Sequence, residues 1–185
     1  MKITLNKVSY IRFGFYTQAL ESGNVPYLQV RQFDEYGILK VDDDHFIDLD
    51  QKSESHLLKD GDVLFVGKGN RLFAWCYRET AGPHIASSIF FVLRPDQKII
   101  YPEYLTAFLN APQTKFLFQQ LGAGTNIFSI RKSELGALEI PLLPITTQRK
   151  VAALAILHQQ DILLAQKLNT QKQELYKSII SKLIK

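Results

Sequence analysis

The chain has 185 residues, 46% of them hydrophobic and 22% charged, which is the composition of a globular protein with one sizeable core. This composition excludes a disordered chain and a collagen-like repeat. The chain has one cysteine, lacks a signal-peptide core at its start, and has no apolar run near the roughly 18 residues that span a bilayer. We therefore expect a cytoplasmic protein without a membrane segment. The formal net charge of +4 is too small to identify a partner by itself.

The charges are unevenly distributed along the chain. Residues 33–62 hold three basic and ten acidic side chains, whereas residues 63–132 hold eight basic and three acidic ones. The basic segment is also rich in aromatic residues, and such a mixture can hold a phosphate backbone and pack on bases. Solvated lysines and arginines around an aromatic core would give the same pattern. The sequence thus indicates residues 63–132 as the candidate polyanion-binding segment.

Strand and helix signals follow one another in blocks. Between Tyr27 and Leu93, short β-rich runs alternate with clusters of Gly, Asp and Asn, which predicts a curled, mostly antiparallel sheet. Two helical patterns follow, the first opened by Pro102 and the second by Pro112. A Gly-rich loop then leads back into structure, and a pair of prolines ends the last regular element. We predict an α+β fold, with a β-rich domain and a few helices over residues 1–144.

A long coiled-coil-type helix is predicted after this domain. From Thr146, which can cap its start, the pattern continues to the chain end without Gly or Pro, and some 38 residues would span about 57 Å. That length overruns a domain whose diameter is about 30 to 40 Å, so the apolar stripe on the helix needs a partner. His158 and Lys172 interrupt the stripe, which argues against a regular leucine zipper. The stripe consists of Val151, Leu154, Ala155, Ile162, Ala165, Leu168, Leu175, Ile179 and Leu183, with Leu157 and Leu164 widening it.

We predict that residues 145–185 form a separate helical unit for dimerisation or subunit docking. Its predicted pairing residues are Leu154, Leu168, Leu175 and Ile179.

The motifs of known catalytic and cofactor sites are not matched by this sequence. Gly61 to Gly69 superficially suggests a phosphate loop, but the glycine spacing and the last residue are wrong for one. The only dense cluster of possible metal ligands is Asp42, Asp43, Asp44 and His45, and Asp50 with Lys52 makes a D-x-K pair after it. A turn between strands explains this acidic cluster more simply. We predict no catalytic residue and no metal site, and we keep a small metal-dependent endonuclease using Asp42 to Lys52 as the enzyme alternative.

The order of several segments resembles that in the specificity (S) subunits of type I restriction-modification systems. Their I-P-L-x-P-x-x-x-Q pattern is matched by Ile140 to Gln148, although the acidic residue that often precedes the glutamine is replaced here by Thr147. The similar segments are Val25 to Leu39, His56 to Arg78 with its G-D-V-L strand, Ser87 to Pro95 with the helix after it, and Leu121 to Ala152. The resemblance covers nearly the whole chain. It implies one target-recognition domain followed by one helical spacer.

The resemblance also implies the function and the partners. S subunits hold double-stranded DNA, while a partner methyltransferase (modification) subunit methylates adenine with S-adenosylmethionine and a restriction subunit cleaves with ATP and Mg²⁺. No cofactor is therefore expected on this chain. Most S subunits contain two recognition domains and two spacers, so this chain is expected to act as a half-subunit. A homodimer joined through the C-terminal helices would then recognise a two-part site with a fixed gap. A structural interaction module that does not bind DNA is the remaining alternative.

Candidate DNA contacts follow from charge and loop context. We predict phosphate contacts for Lys68, Arg71, Lys115 and Lys132. Base contacts need side chains that make paired hydrogen bonds in a groove, and two Gly-flanked loops supply them. These candidates are Asn70, Arg71, Thr125, Asn126 and Arg131. Turn formation explains Asn70 and Asn126 equally well.

Overall fold

The structure is a computed structural model, and it describes residues 1–34, 36–40, 45–69, 71–121 and 129–184. Two short 3₁₀ turns, Val30–Gln32 and Glu79–Ala81, accompany the helices and strands. The helices and strands, in chain order, are β1 (Lys2–Thr4), α1 (Leu5–Val8), β2 (Ser9–Phe13), β3 (Val25–Leu28), β4 (Phe46–Ile47), α2 (Gln51–Glu54), β5 (Val63–Val66), β6 (Ala74–Cys76), β7 (Ile85–Ala86), β8 (Phe90–Pro95), α3 (Pro102–Asn110), α4 (Pro112–Leu121), α5 (Lys132–Gly136), β9 (Glu139–Pro141) and α6 (Ile145–Leu183).

Within the described part of the chain, three small sheets form the β-rich region. The central sheet has four antiparallel strands in the order β2-β8-β5-β6, so β2 and β6 are its edges. A second sheet has the order β4-β3-β7, with β3 antiparallel to β4 and parallel to β7. The third sheet pairs β1 with β9 in antiparallel fashion, which joins the start of the chain to the segment before α6. The predicted mostly antiparallel β-rich domain is confirmed.

The central sheet is covered on both faces. All four residues of β5 are buried, and their side chains alternate between the two faces. Val63 and Phe65 pack with the residues of α1, α3 and α5, whereas Leu64 and Val66 pack with Phe33 and other aromatic residues on the opposite face. The run V-L-F-V has no polar residue at alternate positions because both faces of this strand are buried.

One edge of the central sheet is closed by a side chain. Asn110, the last residue of α3, accepts a hydrogen bond from the backbone N–H of Ala74 at 2.9 Å and donates one to its carbonyl at 2.8 Å. The carboxamide thus takes the place of a neighbouring strand at β6. This contact fixes α3 against the sheet.

The junction between the body and α6 depends on one buried glutamine. Gln148 accepts a hydrogen bond from the backbone N–H of Tyr101 at 2.8 Å, and it donates to the carbonyls of Ile99 at 3.1 Å and Leu143 at 2.8 Å. Its side chain is 1% exposed. The glutamine of the proline-rich motif is thus an anchor that joins the first turn of α6 to the segment before α3.

The long helix extends beyond the body. It has 39 residues and begins at Ile145 after Pro144, without a side-chain cap, so the predicted capping by Thr146 is wrong. Its first turns pack on α3, where Gln148 and Ala152 are buried. Beyond Ile162, every described side chain of α6 except one is exposed. The confirmed long C-terminal helix therefore projects from the body as a rod.

The predicted stripe divides into two faces. Ala155 and Ile162 lie toward the body with Ala152 and are partly buried. The four predicted pairing residues lie elsewhere on the helix and are between 47% and 69% exposed. They are Leu154, Leu168, Leu175 and Ile179. Within the described ranges, no helix is long and apolar enough to cross a membrane.

Candidate nucleic-acid interface

The stems of the two Gly-flanked loops lie side by side. Lys68, which follows β5, forms an antiparallel bridge with Ser129, and the backbone N–H of Ile130 donates to the carbonyl of Gly67 at 2.7 Å. The chain thus brings together two segments about 60 residues apart, as a ladder of backbone hydrogen bonds does in a sheet. The predicted base contacts Asn70, Thr125 and Asn126 lie outside the described residues.

Close packing explains the glycine at the end of β5. A Cβ atom on Gly67 would lie 2.1 Å from the nearest carbon of the Phe91 ring, which is closer than any side chain tolerates. On another side, the Phe91 ring packs on Phe13, with 4.8 Å between the ring centroids. The absence of a side chain at residue 67 therefore lets the backbone at the end of β5 lie against the Phe91 ring.

Two exposed aromatic rings lie on the edge strand β2. Tyr10 is 65% exposed and Phe13 is 52% exposed, which is unusual for aromatic residues of a sheet. The ammonium group of Lys132 lies 5.9 Å from the centroid of the Tyr10 ring, within the range of a cation–π contact. Lys132 begins α5, two residues after Ile130 of the bridged segment.

We call the exposed basic and aromatic side chains of these neighbouring segments the basic-aromatic strip. Its members are Tyr10, Phe13, Lys68, Arg131 and Lys132, all of them exposed. An open groove of about 900 Å³ adjoins the strip and is lined by Lys7, Tyr10 and Lys132 among others. Exposed cations beside exposed rings provide partners for phosphates and for the apolar faces of bases.

Arg71 lies beside the first loop, with its guanidinium turned to the body. It donates to the carbonyls of Phe33, at 3.1 Å, and of Asp34, and it lies 5.5 Å from the centroid of the Phe73 ring. Val30 supplies a third carbonyl at 3.5 Å. These bonds hold the 3₁₀ turn after β3 to the loop. The observed hydrogen bonds give Arg71 a structural role. Its contact with DNA stays a prediction.

The basic segment of the sequence is not one basic face. Arg94 makes a two-pronged ion pair with Asp62, at 2.8 and 2.7 Å, and the carboxylate is fully buried. Arg78 pairs with Asp60 and Glu103. Lys115 lies apart from the strip, in a cavity against α6. The excess positive charge of residues 63–132 is therefore partly neutralised by carboxylates from outside and inside that segment.

Sequence reasoning missed the two aromatic members of the strip. A signal for this strand was available in S-Y-I-R-F, where Ser9 and Ile11 are buried and Tyr10 is exposed, but this alternation does not predict the exposure of Phe13. The prediction began the sheet at Tyr27 and left this strand out. Lys68, Arg131 and Lys132 were predicted, and the structure leaves all three exposed on neighbouring segments, while their contact with DNA stays a prediction.

The predicted endonuclease cluster gains no support from the described residues. Asp50 caps α2, with its carboxylate accepting from the backbone N–H of Ser53 at 2.6 Å and from its hydroxyl at 2.7 Å. These hydrogen bonds lower the pKa of Asp50. Asp42, Asp43 and Asp44 lie outside the described ranges. Within those ranges no three His, Cys, Asp or Glu side chains come together as a metal site, and burial raises the pKa of the Cys76 thiol to about 11.

Comparison with known proteins identifies the fold. No protein-family model matches the sequence, and neither does any curated protein. A structure determined for the assembly and conformational transition of a type I restriction-modification system contains a chain that is 19% identical, with a TM-score of 0.65. The match covers 94% of this chain and 45% of that chain.

Two further structures agree with this comparison. The type I S subunit from M. genitalium is 18% identical, with a TM-score of 0.58 and with 96% of this chain and 42% of that chain covered. The HsdS subunit from Thermoanaerobacter tengcongensis is 20% identical, with a TM-score of 0.55 and coverage of 88% and 38%. This chain thus has the fold of type I S subunits and spans less than half the length of each of these three chains.

Proposed function

We propose that this protein recognises a DNA sequence and brings a type I methyltransferase subunit to it, without chemistry of its own. The observation that carries the proposal is the basic-aromatic strip, on a fold shared with type I S subunits. Modification with S-adenosylmethionine, and cleavage with ATP and Mg²⁺ by a restriction subunit, would belong to partner chains. The protein would act in the cytoplasm, where these partners and their DNA are found.

The strip would contact the duplex in two ways. Lys68, Arg131 and Lys132 would pair with phosphates and fix the register of the protein on DNA. Base recognition would come from the loops that the strip flanks, residues 69–71 and 122–128, as predicted for Asn70, Thr125 and Asn126. Tyr10 would supply a ring face that packs on sugar or base. Arg71 would hold the first loop in place through its three carbonyl contacts.

We further propose that two copies pair through the exposed stripe of α6. Leu154, Leu157, Leu164 and Leu168, together with Asp161 between them, follow the spacing of three and four residues that makes one coiled-coil seam. An antiparallel pair centred near residue 166 places Leu164 against Leu168 of the second copy and Leu157 against its Leu175. Asp161 then lies beside Lys172 of the second copy.

A parallel pair would be less favourable. It would place the two Asp161 carboxylates opposite each other in the seam, where like charges repel. In the antiparallel pair the same carboxylate meets an ammonium group instead. The two recognition surfaces would then lie at opposite ends of the paired rods and contact two half-sites separated by a fixed distance.

Binding to random duplex DNA over a salt series tests the DNA proposal. Removal of one phosphate-binding cation should reduce the slope of log K against log salt by about 0.9. The variant Lys68→Gln/Lys132→Gln should therefore bind more weakly, with a slope lower by about two. Lys52→Gln/Lys59→Gln removes the same charge from the acidic stretch and should match the wild type. An equal loss of affinity in both double variants, or no binding at low salt, would contradict the proposal.

Plasmid nicking separates the enzyme alternative. Purified protein with Mg²⁺ should leave supercoiled plasmid intact, because the proposal assigns no hydrolysis to this chain. Nicking that is abolished in Asp50→Asn/Lys52→Gln would instead support the endonuclease.

A further inference from the structure

The open groove beside the basic-aromatic strip lies at one end of the central sheet. It has a volume of about 900 Å³, and its walls come from α1, the first residues of β2, the last residues of β8, and α5. At this end of the sheet, Ser9 pairs with Pro95. Lys68 follows β5 at the opposite end, where Val66 pairs with Phe90. The groove and the stems of the two Gly-flanked loops therefore lie at opposite ends of one sheet.

The groove offers two cations that form no ion pair with a described residue. Lys7 on α1 is exposed, and Lys132 on α5 lies with its ammonium group 5.9 Å from the centroid of the Tyr10 ring. Asn6, the neighbour of Lys7 in the chain, accepts a hydrogen bond on its Oδ1 from the hydroxyl of Thr4 at 2.7 Å. This bond leaves the amide N–H groups of Asn6 to donate to another acceptor.

The other two charged residues of the groove are occupied by groups of the protein. Arg94 pairs with the buried Asp62 through Nε and Nη2, and the carboxylate of Asp96 accepts a hydrogen bond from the backbone N–H of Lys98 at 3.0 Å. Asp96 is the one acidic side chain among the described residues that line the groove. Ammonium and amide donors in an open groove suit the phosphate oxygens of an extended backbone.

The long helix runs parallel to α3. Gln148 in its first turn accepts a hydrogen bond from Tyr101, the residue just before α3. Farther along the helix, Ile162 lines the cavity between α6 and the body together with Lys115, which follows α3 in the chain. The two helices therefore begin near each other and advance in the same direction.

This direction leads away from the groove. The helix α3 begins at Pro102, shortly after Pro95 at the groove end of the sheet. It ends at Asn110, which is bonded to Ala74, and Ala74 pairs with Phe65 near the loop end of β5. Because α6 follows α3, the rod projects beyond the loop end of the sheet, and the groove lies at the end farther from the tip of the rod.

We propose that this groove binds the sugar-phosphate backbone of DNA that flanks the recognised half-site. The inference rests on the proposed function, in which one duplex contacts two copies and therefore runs along the paired rods. The loop end of each sheet would then face the gap between the half-sites. The groove end would meet the DNA on the outer side of the half-site.

The groove would act on affinity and not on the choice of sequence. Lys7 and Lys132 would pair with phosphates, and the amide of Asn6 would donate to a phosphate oxygen. Phosphate contacts position a protein on DNA and carry no direct information about the bases. Lys132 would belong to both the strip and the groove, whereas Lys7 and Asn6 would be DNA contacts of the groove alone.

Salt dependence of binding to random duplex DNA measures the charge contact of Lys7. Lys7→Gln should lower the slope of log K against log salt by about 0.9, which corresponds to about eightfold weaker binding at 0.1 M salt. Lys59→Gln removes an exposed cation from the acidic stretch and should match the wild type. Fluorescence anisotropy of a labelled duplex gives both quantities. Unfolding curves of the two variants show that the fold is retained.

The position of the contact is tested on a duplex that carries the motif selected from randomised DNA. The motif is flanked on each side by about 10 or by about 2 base pairs, which is one helical turn or almost none. The wild type should bind the longer duplex more tightly, and Lys7→Gln should lose most of this preference. Lys68→Gln, at the loop end of the sheet, should weaken binding to both duplexes by the same factor and keep the preference.

Two results would overturn the groove while DNA recognition stands. The first is an unchanged salt slope in Lys7→Gln, when Lys68→Gln/Lys132→Gln lowers the slope. The second is an equal preference for the longer duplex in the wild type and in Lys7→Gln, which would place the flanking contact elsewhere. Absence of DNA binding by the wild type would contradict the proposed function itself, and the groove with it.

Discussion

Individual side chains explain much of the short motif at the start of α6. Gln148 is buried and satisfies three backbone groups, from Tyr101, Ile99 and Leu143, that have no other role in a helix or sheet. A buried group that loses its partner costs about 1 to 3 kcal/mol, so this one residue governs the stability of the joint. The glutamine of the motif is therefore a structural anchor, and its effect on DNA binding would be indirect.

Replacement of this glutamine tests the anchor. Gln148→Met keeps the size of the side chain but leaves up to three backbone groups unpaired, and we expect it to lower the free energy of unfolding by about 2 to 4 kcal/mol. Gln160→Met, at an exposed position of the same helix, is the control and should change stability by less than about 0.5 kcal/mol. Urea unfolding of both variants provides the measurement. Equal stability of the two variants would show that the joint does not depend on Gln148.

His56 should make the stability of the body sensitive to acid. Burial, and then the positive charge of Arg12, lower the pKa of His56, whose ring also packs on Phe15. A histidine with a lowered pKa binds its proton more weakly in the folded chain than in the unfolded one. Its contribution to stability is therefore fully present above the unfolded value of about 6.5 and is lost as the pH falls through the lowered folded value.

Unfolding curves at about pH 7.5 and pH 5 test this effect. The decrease in stability between these two pH values should be smaller in His56→Gln than in the wild type. His158→Gln, at an exposed position on α6, should show the same decrease as the wild type. An equal decrease in all three proteins would exclude His56 as a source of the acid sensitivity.

At the residue scale, the sequence shows which side chains are charged, but it does not show which groups they contact in the fold. Lys68 and Arg71 are three residues apart and were equally good candidates for DNA contacts. Folding leaves Lys68 exposed, whereas it turns Arg71 toward the carbonyls of the 3₁₀ turn. Because those carbonyls come from residues about 40 positions away, no local pattern could distinguish the two side chains.

At the scale of elements, long apolar patterns were predictable and short paired strands were not. The patterns that begin at Pro102 and Pro112 became α3 and α4, since local periodicity is enough to define a helix. Strands β1, β7 and β9 have two or three residues each, and pairing with distant strands stabilises them. Such strands have little local signal. The five-residue strand β2 is different, because it was missed although the alternation in S-Y-I-R-F gave a local signal.

The contact between the end of β5 and the Phe91 ring gives a prediction at this scale. Gly67→Ala should displace the buried ring and lower the free energy of unfolding by about 1 to 3 kcal/mol. Phe91→Leu in the same chain removes the clash, so the double variant should be more stable than the sum of the two single effects. Urea unfolding of the four proteins measures this coupling. Additive effects would mean that Gly67 and Phe91 do not meet as described.

At the scale of the whole molecule, the proposed pairing of two copies depends on the rod. Sequence reasoning predicted its length and position, because 39 residues without Gly or Pro leave few other structures. It could not separate the face that packs on the body from the face left exposed, since both carry apolar residues. The contacts of Gln148 and Ala152 define the first face and so identify the second.

Substitution of the exposed face should prevent pairing. We expect Leu168→Lys/Leu175→Lys to be monomeric in sedimentation or light scattering, and Thr170→Lys, on another face of the rod, to retain the dimer mass of the wild type. Asp161→Lys should weaken the dimer, and the added change Lys172→Asp should restore it if the pair is antiparallel as proposed. A wild-type monomer, or a dimer unaffected by the leucine substitutions, would contradict the pairing surface.

The most direct test of sequence recognition is selection from a pool of randomised DNA duplexes by the purified protein, followed by sequencing of the bound fraction. The account predicts enrichment of one short motif, repeated in inverted orientation at a fixed gap, and no such enrichment in Lys68→Gln/Lys132→Gln. A bound fraction with the same sequence distribution as the starting pool would contradict the claim that this protein recognises a DNA sequence.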